Sequence, residues 1–367
     1  MKIEPQYLID RFLELAKLDA PSGKERPVAD YLLEFARARG LTCQEDMAGE
    51  TSGTQTGNII ITYGDGGSTL FMSHMDTARS TASVSPVLLD DRITSDGKTV
   101  LGVDNRVGIT ALLSALDLLI AQKLESPGFT IVFTICEESS LAGSRHLTPD
   151  PNIQQAFAFD SSHRPGLFII KAPGAKEFKI EVQGRASHSG IAPEAGINAL
   201  KLAAKAVSAL PLGRIDSNTT MNIGPFHSHA ATNVVPPLVE MIGEIRSGNH
   251  EGADEIEEQV NQIFSQTLKG SGASFDFQSV WDFQPYEISK DAPVRKHLLK
   301  CFTNLGISAH AVDSFGGSDA NVLNAKGIPT INLGIGAQNP HSNDEFILYE
   351  DLINSTRIAL ELMLNEV

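Results

Sequence analysis

Apolar residues at Leu8, Ile9, Phe12, Leu13, Leu15 and Ala16 recur at helical spacing, and Pro21 lies just past the end such a helix would have. Ser22, with Glu25 three residues on, has the form of a capping box and predicts a second helix running to Gly40. Two β-rich runs follow, Asn58 to Tyr63 and Thr69 to Ser73, parted by the turn-forming Gly64-Asp65-Gly66-Gly67. A helix is predicted from about Val107 to Lys123. Within it the apolar stretch Ile109 to Ile120 is broken by Asp117 and reads as amphipathic. Phe129 to Cys136 and Ala156 to Phe159 are continuous apolar runs, as in strands buried on both faces. Strands alternating with long helices imply an α/β domain with a mostly parallel sheet.

The pattern changes after Pro173. Phe178 to Val182 alternates, a helix is expected over about Gly196 to Leu210, and Leu238 to Ile245 reads as a strand. A charged helix (Ala253 to Leu268) and a further strand (Phe275 to Trp281) follow. This β-α-β-β-α-β order predicts a small antiparallel sheet with two helices. From Pro293 the chain returns to a helix, a strand at Thr330 to Leu333, and a last helix from Tyr349 to Leu364. An α+β domain over 174–284 is therefore expected as an insertion into an α/β domain of 1–173 and 285–367. Gly49 to Gly57, rich in Thr, Ser and Gly, is expected to be a flexible loop.

Composition narrows the function classes. With 41% hydrophobic and 20% charged residues over 367 positions, the chain can bury a core and is not disordered. A formal charge of −16 repels phosphate backbones and anionic membranes, so neither nucleic acid nor lipid is an expected partner. No apolar stretch approaches the ~20 residues that span a bilayer, and Met1 to Leu18 lacks the pattern of a secretion signal. Three widely spaced cysteines (Cys43, Cys136, Cys301) make no disulfide framework, which points to a reducing cytoplasm.

Chemistry is suggested by residues at strand ends. His74-Met75-Asp76 follows a strand, where the histidine suits a metal and the carboxylate two residues on suits its other ring nitrogen. Alone, the pair reads first as a structural histidine with its partner. Asp104 sits at the mouth of a helix, as a helix cap or as a ligand using both oxygens. Glu137-Glu138 closes a buried strand. Two such carboxylates repel unless cations or protons compensate, leaving a solvated strand end or a ligand beside a general base. Asp160 ends another apolar run, and His341 follows the glycine-rich segment after Thr330 to Leu333. Taken together these residues crowd the C-terminal edge of one sheet, where open α/β sheets bind ligands. Two imidazoles and three carboxylates suit a pair of divalent ions, most naturally zinc, and no cysteine joins them.

In this order the segments Ser73-His74-Met75-Asp76-Thr77, Leu101-Gly102-Val103-Asp104-Asn105, Glu137-Glu138, Phe159-Asp160, Gly316-Gly317-Ser318-Asp319-Ala320-Asn321 and Pro340-His341-Ser342 are recognisable. The chain resembles the di-zinc peptidase family of peptidase T, glutamate carboxypeptidase and aminoacylase, and within it the peptidase T-like tripeptidases. The resemblance covers essentially the whole chain and implies a metal-binding catalytic domain with an inserted lid through which two subunits pair. It implies His74 and Asp160 on one zinc, Glu138 and His341 on the other, and Asp104 bridging them with a water; cobalt or manganese would be substitutes. Asp76 would orient His74, Glu137 would be the general base, and the Asp104–Asn105 peptide would be cis. In the lid, Gly184 to Gly190 is similar to the segment whose histidine, here His188, polarises the scissile carbonyl, often across a dimer. Asn233 and Arg246 resemble lid residues that hold the substrate's carboxylate, with Gly317 and Ser318 as further substrate-binding positions. The activity implied is hydrolysis of short peptides, tripeptides first. An amidase for N-acyl amino acids, a carboxypeptidase on the same metal core, and an inert peptide-binding module are the alternatives. His227 and His229 form an H-x-H pair that reads as loop histidines.

Overall fold

The computed structural model describes residues 3–365 and divides into two compact units. The first comprises the described residues up to Lys171, Glu287–Ser314, and those from Ser318 onward; the second is Ala172–Tyr286 with Phe315–Gly317.

In the first unit the long apolar runs become the centre of a mixed, mostly parallel sheet. Its strands lie in the order Thr42–Glu45, Ile59–Tyr63, Phe129–Thr134, Thr69–His74, Gln155–Ser161, Thr330–Gly334 and Leu167–Ala172, with His310–Asp313 beside the last. The four strands from Phe129–Thr134 to Thr330–Gly334 run parallel, so their C-terminal ends share one edge. Phe71, Phe129, Phe157 and Phe159 are fully buried there and pack ring on ring, with neighbouring centroids 5.4–6.4 Å apart. No helix among the described residues is long and apolar enough to cross a membrane.

The helix Val103–Ala121 departs from the amphipathic expectation. Val103, Asn105 to Leu116 and Leu119 are all buried, because the helix packs against Pro5–Ala16, Tyr349–Leu364 and two central strands. Its approach to the sheet depends on Gly108, where a β-carbon would lie 2.3 Å from the Phe159 carbonyl oxygen. Asp117, which breaks its apolar stretch Ile109 to Ile120, does not face open water: it pairs with Arg11 and Arg39.

Two other expectations need correction. Ser22 and Glu25 do not form a capping box. The helix Arg26–Ala38 begins without a side-chain cap, while Ser22 Oγ donates to Asp76 Oδ2 at 2.6 Å and Glu25 accepts the backbone N–H of Cys136 at 3.1 Å. A capping box does occur at Ser318 and Asn321, opening Asp319–Ala325. Nor is Gly49 to Gly57 loose. Ala48–Ser52 is helical, Thr56 and Gly57 are buried, and Glu45 Oε1 accepts from Thr56 Oγ1 at 2.7 Å and from the Gly57 N–H at 3.0 Å.

The second unit adds a two-residue strand, Gly213–Arg214, to the expected element order and forms an antiparallel sheet, in the order Gly213–Arg214, Thr219–His227, Leu238–Ser247, Gly174–Gln183, Ser274–Phe283. One face carries the helices Ala199–Val207 and His250–Leu268 over a core of Phe178, Ile180, Met241, Val260 and Phe264. Asn198 and Asn249 cap these helices by accepting the Lys201 and Gly252 N–H groups.

Candidate metal centre

Each residue read as a ligand stands where its local sequence puts it. His74 ends its strand, Asp160 is the penultimate residue of Gln155–Ser161, and Glu137 and Glu138 open a short helix just beyond Phe129–Thr134. Asp104 and Asn105 have non-helical dihedrals inside Val103–Ala121, and the peptide between them is cis. Asp104 is not the cap of that helix: Asn105 Oδ1 accepts the Gly108 N–H at 3.0 Å in that role. Its carboxylate turns instead towards the two histidines.

The structure brings these side chains into two overlapping groups, His74–Asp104–Asp160 and Asp104–Glu138–His341, with the candidate ligand atoms of each within 4.8 Å of one another. His74 Nε2 lies 3.0 Å from Asp104 Oδ1 and 3.2 Å from Asp160 Oδ1. His341 Nε2 lies 3.4 Å from Asp104 Oδ2 and 2.9 Å from Glu138 Oε1. Asp104 thus offers one oxygen to each group. Glu137 Oε2 stands 4.0 Å from His74 Nε2 and belongs to neither.

The donor set fits divalent cations. Glu138 Oε1 is buried with no hydrogen-bond partner among the described residues, although an imidazole nitrogen is 2.9 Å away. Two donor atoms that close and not hydrogen-bonded to each other are arranged as ligands around a cation are. The electrostatics agree. Burial holds Glu137 well above the usual carboxylate range, helped by Asp160, Asp319 and Glu138 and opposed by His74. Burial also pushes Asp319 up to about 6, although Thr134 Oγ1 donates to it. Burial would lower the His74 imidazole, but Asp104, Asp160 and Asp76 together hold it well above its ordinary value. The nearby carboxylates of Asp104 and Glu138 push His341 up to about 10. Asp104 moves the other way: burial would raise it, and the two histidines bring it to about 2. So many buried carboxylates call for compensating positive charge, which divalent cations would supply.

The surroundings differ from expectation in detail. His74 Nδ1 donates to the Asp76 backbone oxygen at 3.0 Å, with the Asp76 carboxylate 3.4 Å away. That carboxylate is spent chiefly on the turn beside it, accepting the N–H groups of Glu137 at 3.0 Å and Glu138 at 3.2 Å. Asn105, beside Asp104 in its motif, and Asn332 and Glu345, outside the motifs, hold the rest. Asn105 Nδ2 and Asn332 Nδ2 donate to the two oxygens of Asp160, at 3.3 and 3.2 Å. Buried Glu345 accepts the His341 N–H. Asn332 had one readable signal, a polar residue inside a buried strand. Glu345 had none, standing next to an equally acidic Asp344.

In the second unit, His188 and Asn233 are both exposed and lie on paired segments, with His188 bridging to Val234 and the Ser189 N–H donating to Asn233 O at 2.9 Å. The Arg246 guanidinium is forked onto Glu244, at 2.6 and 3.2 Å. Gly317 lies against the Phe283 ring, where a β-carbon would come within 2.3 Å. Ser318, in the first unit, is buried and spends its hydroxyl on its helix cap and on Asn332. His227 and His229 stack on each other, and His229 lies 3.6 Å from Glu240.

Comparison with known proteins agrees with this architecture. Residues 170–271 match the peptidase dimerisation domain of the M20 family. The aminopeptidase PepT of Bacillus cereus superposes with a TM-score of 0.89 at 30% identity, with 98% of both chains covered. A tripeptidase of Staphylococcus aureus gives 0.88 and 31%, again over 98% of both. The uncharacterised protein YqjE of Bacillus subtilis is 29% identical over 98% of each chain. With such likeness over its whole length, and a carboxylate–histidine centre suited to metal, the chain belongs to the M20 family of metallopeptidases, as a hydrolase of the peptidase T-like kind.

Proposed function

We propose that the protein removes the N-terminal residue from short peptides, tripeptides first, at two zinc ions, one held by His74 and Asp160, the other by Glu138 and His341, with Asp104 shared. The observation that carries this reading is the division of Asp104 between two ligand groups, one oxygen 3.0 Å from His74 and the other 3.4 Å from His341. Its likeness to an aminopeptidase of Bacillus cereus and a tripeptidase of Staphylococcus aureus supports the choice of substrate.

The ions, when bound, supply a water made acidic near neutrality and a Lewis acid for the substrate carbonyl. Glu137 takes the proton of that water and passes it to the leaving amine. Its position suits a base, since burial among Asp160, Asp319 and Glu138 gives it the raised proton affinity that role needs. Asp76 holds the turn bearing Glu137 by two backbone N–H groups and so fixes the base as well as His74. His188 stabilises the developing oxyanion, acting from a partner subunit paired through the lid; the match of residues 170–271 to a dimerisation domain supports the pairing. Asn233 and Arg246 hold the substrate carboxylate, with Arg246 exchanging Glu244 for it, and Gly317 and Ser318 are further substrate-binding positions. Three free cysteines support a cytoplasmic setting.

A panel of di- and tripeptides, N-acyl amino acids and C-terminally extended peptides tests the reading on protein loaded with zinc, cobalt or manganese. Faster release of the N-terminal residue from tripeptides than from any other class is expected. Preference for N-acyl amino acids or for C-terminal cleavage overturns the substrate assignment. Absence of turnover with all three metals favours an inert binding module.

A further inference from the structure

We propose that Glu345 is a positioning residue that builds the His341 half of the metal centre by clamping two loops together. The inference rests on the reading of Asp104, Glu138 and His341 as ligands. His74 and Asp160 sit on strands of the central sheet, which hold them regardless of what binds. His341 has no such support. It lies in the connection between Thr330–Gly334 and Phe346–Leu348, its side chain is 48% exposed, and its φ is +66°.

Glu345 makes up for this. Its Oε1 accepts the His341 N–H at 2.7 Å, and its Oε2 accepts the N–H groups of Leu101 and Gly102 at 2.6 Å each. Leu101 and Gly102 lead directly into Asp104, the shared residue. One carboxylate, on a residue only 2% exposed, thus ties the loop of one ligand to the approach of another. Glu345 is itself anchored, since its carbonyl oxygen accepts from the Ser95 N–H at 3.0 Å and from Thr94 Oγ1 at 3.2 Å. A carboxylate buried this deeply is tolerated only with its oxygens satisfied, and here backbone donors satisfy both. The result is a ligand loop set in place before metal arrives, and such outer supports typically change metal affinity ~10–100-fold. Arg79 steadies the same loop from the exposed side, through the His341 carbonyl at 3.2 Å and Asn343 Oδ1 at 3.0 Å.

The test titrates the metal-stripped full chain with Co²⁺, following binding by calorimetry and by the visible cobalt spectrum. Wild type is expected to take two ions per chain, and His341→Ala to lose one of the two steps. In Glu345→Gln an amide N–H₂ replaces one acceptor, and that same step is expected to weaken at least about tenfold while the other step moves far less. Unchanged affinity at both steps overturns the proposal. So does equal weakening of both, which is the mark of a merely structural role. If wild type binds fewer than two ions, or His341→Ala loses neither step, the ligand assignment has failed, and the proposal with it. Should Glu345→Gln not fold, amide exchange in wild type before metal is added decides. Protected N–H groups at Leu101, Gly102 and His341 are expected, and exchange of the His341 N–H at the free-chain rate overturns the proposal.

Discussion

At the residue scale the centre divides neighbouring carboxylates between different roles. Glu137 and Glu138 are adjacent in sequence, yet only Glu138 joins a ligand group, because the turn held by Asp76 points the two side chains to different places. Glu137→Gln removes the proposed base and no ligand. Turnover should fall by about 10²–10⁴, while elemental analysis finds metal content at the wild-type level. Loss of an ion in this variant would make Glu137 a ligand instead. Asp104 is the converse case. Since one oxygen serves each group, Asp104→Ala should lower both metal occupancies together in a metal titration. Loss of one ion alone would remove it from the bridging position.

At the element scale, the helix Val103–Ala121 carries Asp104 at one end and is secured at the other by Asp117. That carboxylate receives Arg11, Arg39 and the Tyr7 hydroxyl, joining Pro5–Ala16 and the end of Arg26–Ala38 to this helix. Burial would raise the Asp117 carboxyl, but hydrogen bonds from Arg39, Tyr7 and Arg11 hold it below the usual carboxylate range. A carboxyl lowered in the folded state stabilises the protein above its unfolded value of ~3.9, and that contribution is lost as pH falls through the folded value. Asp117→Asn should therefore lower stability at pH 7 by about 1–3 kcal/mol. This is less than the ~3–5 typical when a fully buried pair is broken, because the Arg39 side chain is 26% exposed. The gap between the urea midpoints of the two proteins should start to close below about pH 4 and vanish only below the folded value; a gap that persists there would assign the loss to packing.

At the scale of the whole molecule, the lid poses the question of which subunit completes which site. If His188 acts in trans, Glu137→Gln and His188→Ala proteins should each be nearly inactive, yet regain activity when mixed under conditions of subunit exchange. Half of randomly paired dimers then carry one site with both residues intact, so about one quarter of wild-type activity is expected. No recovery despite proven exchange, or a monomer by sizing at working concentration, would confine His188 to its own subunit or remove it from the reaction.

Much of this architecture is legible in the chain itself. Continuous apolar runs announced the buried parallel strands, alternation and helical spacing announced the insertion, and the acidic and imidazole residues at the ends of those runs announced the crowded sheet edge. These are local patterns, since burial on one or both faces writes itself into neighbouring positions. What the pattern could not say was where individual hydrogen-bonding groups would go. Ser22 and Glu25 have the spacing of a helix cap, but folding offered them Asp76 and Cys136, the latter 111 residues from Glu25. Ser318 had the same option and took the cap. Asp117 looked like the polar face of a helix until Arg11 and Arg39 were brought against it. Glu345 reaches backbone N–H groups 244 residues away, and nothing nearby in the sequence separates it from Asp344. Periodicity records how much water a position sees; the choice of a buried polar partner depends on which distant backbone group is left unsatisfied beside it, and only the tertiary structure settles that.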